Sequence, residues 1–226
     1  MTTPLRLFTV LQNGDSLFPS GLTSFSWGLE QLFDEGRVSD ATHLRHVVEA
    51  QLRLRWASFD RAFLWASHGA GGDLDLVIRI DNLCAVSIAA KELREGSARA
   101  GQGLLAVHAK LGTSGAGNYR ERITKGLAEG HLPIAQGLIW GALGIPKSEA
   151  EVLSAYGLVV GFAAAAIRLG LIGHIDSQRL IAAMAGTIEE LARQPPPKLA
   201  DVSSFTPATD IAAMRHELAE RRLFAN

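Results

Sequence analysis

Along most of the chain, apolar residues recur every three or four positions, the spacing that gathers them on one face of a helix. The clearest stripe is Leu44, Val48, Leu52, Trp56, Phe59 and Phe63, led in by Ser39 and Asp40 as N-caps and stopped by the glycines at 69, 71 and 72. It predicts one long helix. Upstream, Gly14, Asp15, Pro19 and Gly21 bracket a turn, after which Phe25, Leu29 and Leu32 continue at helical spacing until Gly36 and place Glu30 on a helix. The run LDLVIRI at 74–80 alternates like a strand. Yet Leu76, Val77, Ile80, Leu83 and Cys84 share a helical face, and no second strand is available to pair with it, so a helix is expected.

Helical patterning resumes over 87–110, with an interruption expected near Gly101, and GTSGAGN at 112–118 reads as a loop. Further helices are expected over 119–129 and 131–143. Ser148-Glu149-Ala150-Glu151 has the form of a capping box opening the apolar run VLSAYGLVVGFAAAAI. Arg168 closes that run before it reaches the ~20 residues of a membrane span, so it reads as a core helix. Its alanines at 163–166 suit either the monomer core or a dimer face. Asp176 is the expected cap of the next helix, which runs to about residue 193. PPPK at 195–198 then breaks the chain, and Thr206-Pro207 supplies an N-cap with proline at the first helical position. The expectation is all-α: a single-domain helical bundle of roughly eight to ten helices over 1–194, followed at 195–226 by a proline-rich linker and a flexible C-terminal tail with a partner-binding helix.

Composition narrows the function. With 226 residues, 47% of them hydrophobic, the chain can bury a sizeable core. Its 22 basic and 23 acidic residues leave a formal charge of -1, too little to recruit nucleic acid or an anionic membrane. Cys84 is the single cysteine, which rules out a disulfide framework and fits a reducing, cytoplasmic setting. The opening MTTPLRLFTVLQNGD has one basic residue and a broken apolar run, unlike a secretory signal.

Candidate chemistry is thin. His43 and His46 share a helix face, but no further ligand lies near them in sequence. His131, His174 and His216 fall at helix ends or near arginine, where capping competes with catalysis. Glu92, Arg94 and Glu95, with Arg99, pair as a solvated helix face does, and the glycine-rich stretches lack the lysine of a phosphate loop. Ser24 and Ser26 would be nucleophiles only with a base and an oxyanion hole. A helical hydrolase using either serine and a small-ligand-binding bundle therefore stand as alternatives.

Five segments in a fixed order carry a resemblance: DSLFPSGLTSFSWGLE (15–30), KELREGSARAG (91–101), HLPIAQGL (131–138), AAAIRLGLIGHIDSQRL (164–180) and SFTPATDIAAMRHELAERRLF (204–224). Together they resemble the UreF family of urease accessory proteins. What the resemblance implies is an all-α homodimer that catalyses nothing itself. It would join UreD (UreH) to the GTPase UreG, regulate GTP hydrolysis by UreG and help load nickel into apo-urease. No cofactor of its own is implied, because nickel is handled by the assembled complex, and no metal site is carried over.

The resemblance also implies sites. Pro19, Gly21, Glu30 and Arg168 match the surface turned to UreG. There Glu30 offers a carboxylate to a basic group or is ordinary solvated helix, and Arg168 tunes hydrolysis or caps its helix. Met214, Arg215, His216, Leu218, Arg222, Leu223 and Phe224 match the tail that binds UreD, with packing of that tail on its own core as the rival. The chain departs from the family at Thr23-Ser24-Phe25-Ser26, at Glu220 and at Ser177, so the partner contacts at those positions are not carried over.

Overall fold

The computed structural model describes residues 3–19, 25–216 and 223–224, and among them there is no strand. Thr3 caps α1 (Pro4–Gly14) by accepting from the Arg6 amide, with proline in the first turn. This helix is absent from the sequence expectation. None of its residues is fully buried: Val10 packs against the edge of the core while Leu5, Phe8 and Leu11 are exposed, so it lacks the buried stripe that marks the others.

A turn with Trp27 and Gly28 both at positive φ leads into the short α2 (Leu29–Asp34). Asp40 then accepts from the Thr42 and His43 amides and opens α3 (Ala41–Gln51). The helix continues without a break through a π segment (Leu52–Asp60) into α4 (Arg61–Gly69). The long helix and its buried stripe are as the pattern requires, while the π winding in its middle is an addition. α5 (Leu74–Ser87) is helical, capped by Asp73.

α6 (Lys91–Lys110) runs straight through Gly101 instead of breaking there. The glycine serves packing: a Cβ on it would lie 2.1 Å from the Gly130 carbonyl. α7 (Ala116–Thr124) begins inside the expected loop, and α8 (Leu132–Ala142) packs most extensively on α4. Gly137 permits that approach, since a Cβ there would come within 2.5 Å of the Leu64 carbonyl.

α9 (Lys147–Arg168) is the central helix, and it corrects the expected capping box. Pro146 occupies the N-cap, Ser148 is already inside the helix, and Glu151 is spent on Arg61 instead of a cap. By length and composition α9 could cross a membrane, but 61% of its apolar window is buried in the protein, as in a core helix. Ala163, Ala165 and Ala166 are buried in the chain's own core. α10 (His174–Ala192) starts from Gly173, so Asp176 lies in the first turn and bonds Arg179 instead of capping.

Two adjoining cores result. One gathers side chains of α4, α5, α6 and α8 with the start of α9, and the other those of α2, α3, the π segment, α10 and the rest of α9. Arg61 fastens them: it is almost fully buried, donates to Glu151 Oε2 at 2.7 Å and reaches the carbonyls of Leu191, Ala192 and Gln194 at the end of α10.

Beyond Gln194 the expected loose tail is seated on the body as far as residue 216. The Ser203 and Phe205 amides donate to the carbonyls of Ser58 and Leu54 in the π segment. After a 3-10 turn (Leu199–Asp201), α11 (Pro207–His216) buries Ala212 and Ala213, with Thr206 at its start as expected. Gly28 admits it, because a Cβ there would stand 2.5 Å from the Thr209 carbonyl.

Candidate functional site

Two charged residues that the resemblance assigns to the UreG face both contact the tail, Glu30 from a buried position and Arg168 from an exposed one. Glu30 sits in the first turn of α2, only 3% exposed, and its Oε1 accepts from the Leu223 amide at 2.7 Å. Arg168 ends α9, where its charge suits the helix C-terminus. It donates to the Leu223 carbonyl at 3.0 Å and lies 4.1 Å from the centre of the Phe224 ring. One residue's amide and carbonyl are thus held by a carboxylate and a guanidinium, and the next side chain is buried at 5% exposure.

This alters the reading of both sets of residues. The expected surface carboxylate at Glu30 is a buried acceptor, and its partner lies 193 positions away in sequence. Phe224 is an apolar anchor, but on its own chain. Arg215 is exposed and bonds Glu35 on α2 at 3.1 Å. Hydrogen bonds from Gln31 and then Arg215 hold the Glu35 carboxyl below its ordinary range. Met214 and Leu223 remain open to solvent. Leu218, Arg222, Gly21 and Ser24 lie outside the described residues, as does the side chain of His216.

Pro19 is exposed, at the end of a turn in which Asp15 accepts from the Leu17 and Phe18 amides. Its neighbour Phe18 stacks on His108 of α6, with centroids 5.2 Å apart. Ser26 is fully buried, which removes its hydroxyl from any substrate reaching the surface.

The histidines divide by burial. His43 is exposed and pairs with Asp40 at 3.2 Å, and His46 and His174 are also exposed. His131 is sealed in the core, where Asp81 takes its Nδ1 at 2.8 Å together with the amides of Glu129, Gly130 and His131. Burial works to raise the Asp81 carboxyl, but those hydrogen bonds prevail and hold it low. This knot fixes the turn between α7 and α8. Neither His108 nor Asp81 was singled out by sequence reasoning, and the available signal was a polar residue on an otherwise apolar helical stripe. Burial lowers the His108 pKa to about 4, and it pushes the Cys84 thiol well up, away from a reactive thiolate. Among the described residues, no three His, Cys, Asp or Glu side chains gather to hold a metal ion.

What this arrangement does chemically is hold a peptide segment of its own chain. The clamp is polar at the backbone of Leu223 and apolar at Phe224, with Met214 and Leu223 exposed on the same tail.

Comparison with known proteins gives a consistent picture. Residues 38–185 match the UreF family model. The chain is 30% identical to the urease accessory protein UreF of Yersinia pseudotuberculosis serotype IB, covering 97% of this chain and 98% of that one. It is 28% identical to the protein of the same name from Trichodesmium erythraeum, covering 96% and 95%. For the one from Actinobacillus pleuropneumoniae serotype 5b the figures are 27%, 97% and 98%.

Proposed function

Because this chain belongs to the UreF family of urease accessory proteins, we propose that it is a non-catalytic scaffold of urease maturation, joining UreD (UreH) to the GTPase UreG. In this reading the chain works in the cytoplasm as a homodimer, carries no cofactor and passes nickel, as cargo of the assembled complex, to apo-urease. It also sets the rate at which UreG hydrolyses GTP.

The observation that carries the reading is the clamp on Leu223 and Phe224 by Glu30 and Arg168. A partner that takes the tail acts on the two charged groups matched to the UreG face, so the two docking regions are physically joined. The fully buried Ser26 speaks against that serine as the nucleophile of the hydrolase alternative.

The test mixes the purified chain with UreD and UreG and measures masses by light scattering, beside a version ending at Pro197. The intact chain is expected to enter a complex with both partners, and the truncated chain to lose UreD. An intact chain that stays alone with both partners folded overturns the proposal.

A further inference from the structure

A second feature lies in the middle of the long helix and takes no part in the clamp. A cleft partly open to solvent is walled by the π segment on one side and by α9 on the other, with Thr209 and Asp210 of α11 at its edge. In a π-helix a turn takes roughly 4.4 residues, so positions i, i+4, i+5 and i+9 fall on one side, whereas in an α-helix the last would point the opposite way. The π winding accordingly brings Gln51, Arg55, Trp56 and Asp60 to one cleft. Across from them, Gly157 and Gly161 of α9 also line it, and a Cβ on either would meet nothing within 4 Å. These two glycines are not there to admit a neighbouring backbone. They leave volume open.

The lining selects a class of ligand. Trp27, Trp56, Leu93, Leu132, Leu158 and Phe162 supply an apolar wall with two indoles. The charged groups are Arg55, Asp60 and Asp210. Arg55 Nε lies 3.5 Å from Asp60 Oδ2, so those two offset each other. Asp210, whose Oδ1 accepts from the Thr206 hydroxyl, adds a further carboxylate at the edge of the cleft. The one guanidinium is already engaged, which disfavours an anion, and two carboxylates without a third ligand do not make a metal cage. Carboxylate and indole faces together favour an organic cation.

We propose that the cleft walled by the π segment binds a small organic ammonium ion with an apolar body, its charge toward Asp210 and its body between the indoles and the glycines of α9. The site stands independently of the maturation reading, since it needs neither UreD nor UreG.

Isothermal titration calorimetry of the full chain with 2-phenylethylamine tests it, with 3-phenylpropionate as an anion of similar shape. Saturable binding of the ammonium is expected at least about tenfold tighter than that of the anion. Asp210→Asn, which keeps an acceptor for Thr206, should weaken the ammonium about tenfold. Gly161→Leu should fill the cleft and abolish binding while the melting temperature holds. No saturable heat with the ammonium, equal affinity for the anion, or full binding by Gly161→Leu overturns the proposal. If Gly161→Leu does not fold, the Asp210→Asn comparison decides.

Discussion

Replacing Arg61 by Met should destabilise the whole body, because this guanidinium serves the buried charge of Glu151 and the end of α10 together. Its side chain is 2% exposed and that of Glu151 4%, so neither can turn to water. After the substitution Glu151 keeps only the Trp65 indole N–H at 2.8 Å among its described donors. Stranding one member of a buried pair costs about 3–5 kcal/mol. The carbonyls of Ala192 and Gln194 can reach solvent, whereas that of Leu191 sits in a buried residue, which adds about 1 kcal/mol. A loss of about 4–6 kcal/mol is a large part of the 5–15 kcal/mol typical of a folded protein. Arg61→Met combined with Glu151→Gln removes the stranded charge and leaves an acceptor for Trp65, so it should recover about 2 kcal/mol or more. Urea unfolding followed by far-UV circular dichroism, at one protein concentration for all variants, measures both. A single variant within about 1 kcal/mol of the parent, or a double variant no more stable than the single, refutes the reasoning.

Other consequences can be checked in the same material. His108 titrates near 4 in the folded chain against an ordinary 6.5, so the unfolded state binds more protons in that window. Its contribution is complete above about pH 6.5 and is lost as pH falls to about 4, by at most about 3 kcal/mol. His108→Asn should flatten that part of the stability profile, and an unchanged profile contradicts the assignment. Glu30→Ala should speed hydrogen exchange at the Leu223 amide at least about tenfold, while Glu30→Gln, which keeps an acceptor, changes it less; equal exchange in both variants removes the clamp. Phe224→Ala is expected to weaken UreD binding without unfolding the chain, and unchanged affinity counts against a docking role for the tail.

What the sequence made legible were the features that repeat. The stripe from Leu44 to Phe63 and the apolar run inside α9 each extend over several turns, and both are buried as their periodicity requires. The tail helix starts at Pro207 for the reason the sequence offers, a fixed proline φ after a threonine. The capping box failed because Pro146 already sets the entry to α9, and Glu151 is drawn to Arg61, which is 90 positions away. The π segment was hidden because its apolar residues still recur at three and four positions, while the change of winding acts on polar neighbours such as Asp60.

The candidate site was half legible. Glu30 and Arg168 were reached through resemblance, yet nothing local ties either to Leu223, and contacts so distant in sequence leave no periodic trace. The same holds for Asp81, which meets His131 and the turn before it only after α5, α7 and α8 have packed. A chain whose tail reads as a separable unit can still seat that tail, because small residues such as Gly28, Ala212 and Ala213 allow close approach without a conspicuous apolar stripe.

The central claim is a role in loading urease with nickel, and activation in cells tests it most directly. Cells that express the urease subunits and the remaining accessory proteins would be compared with and without this chain, measuring urease activity and the nickel bound to purified urease at equal urease protein. Maturation through this chain predicts a nickel-poor, inactive enzyme in its absence and recovery of both when the chain is restored. Full activity and full nickel content without it would contradict the account.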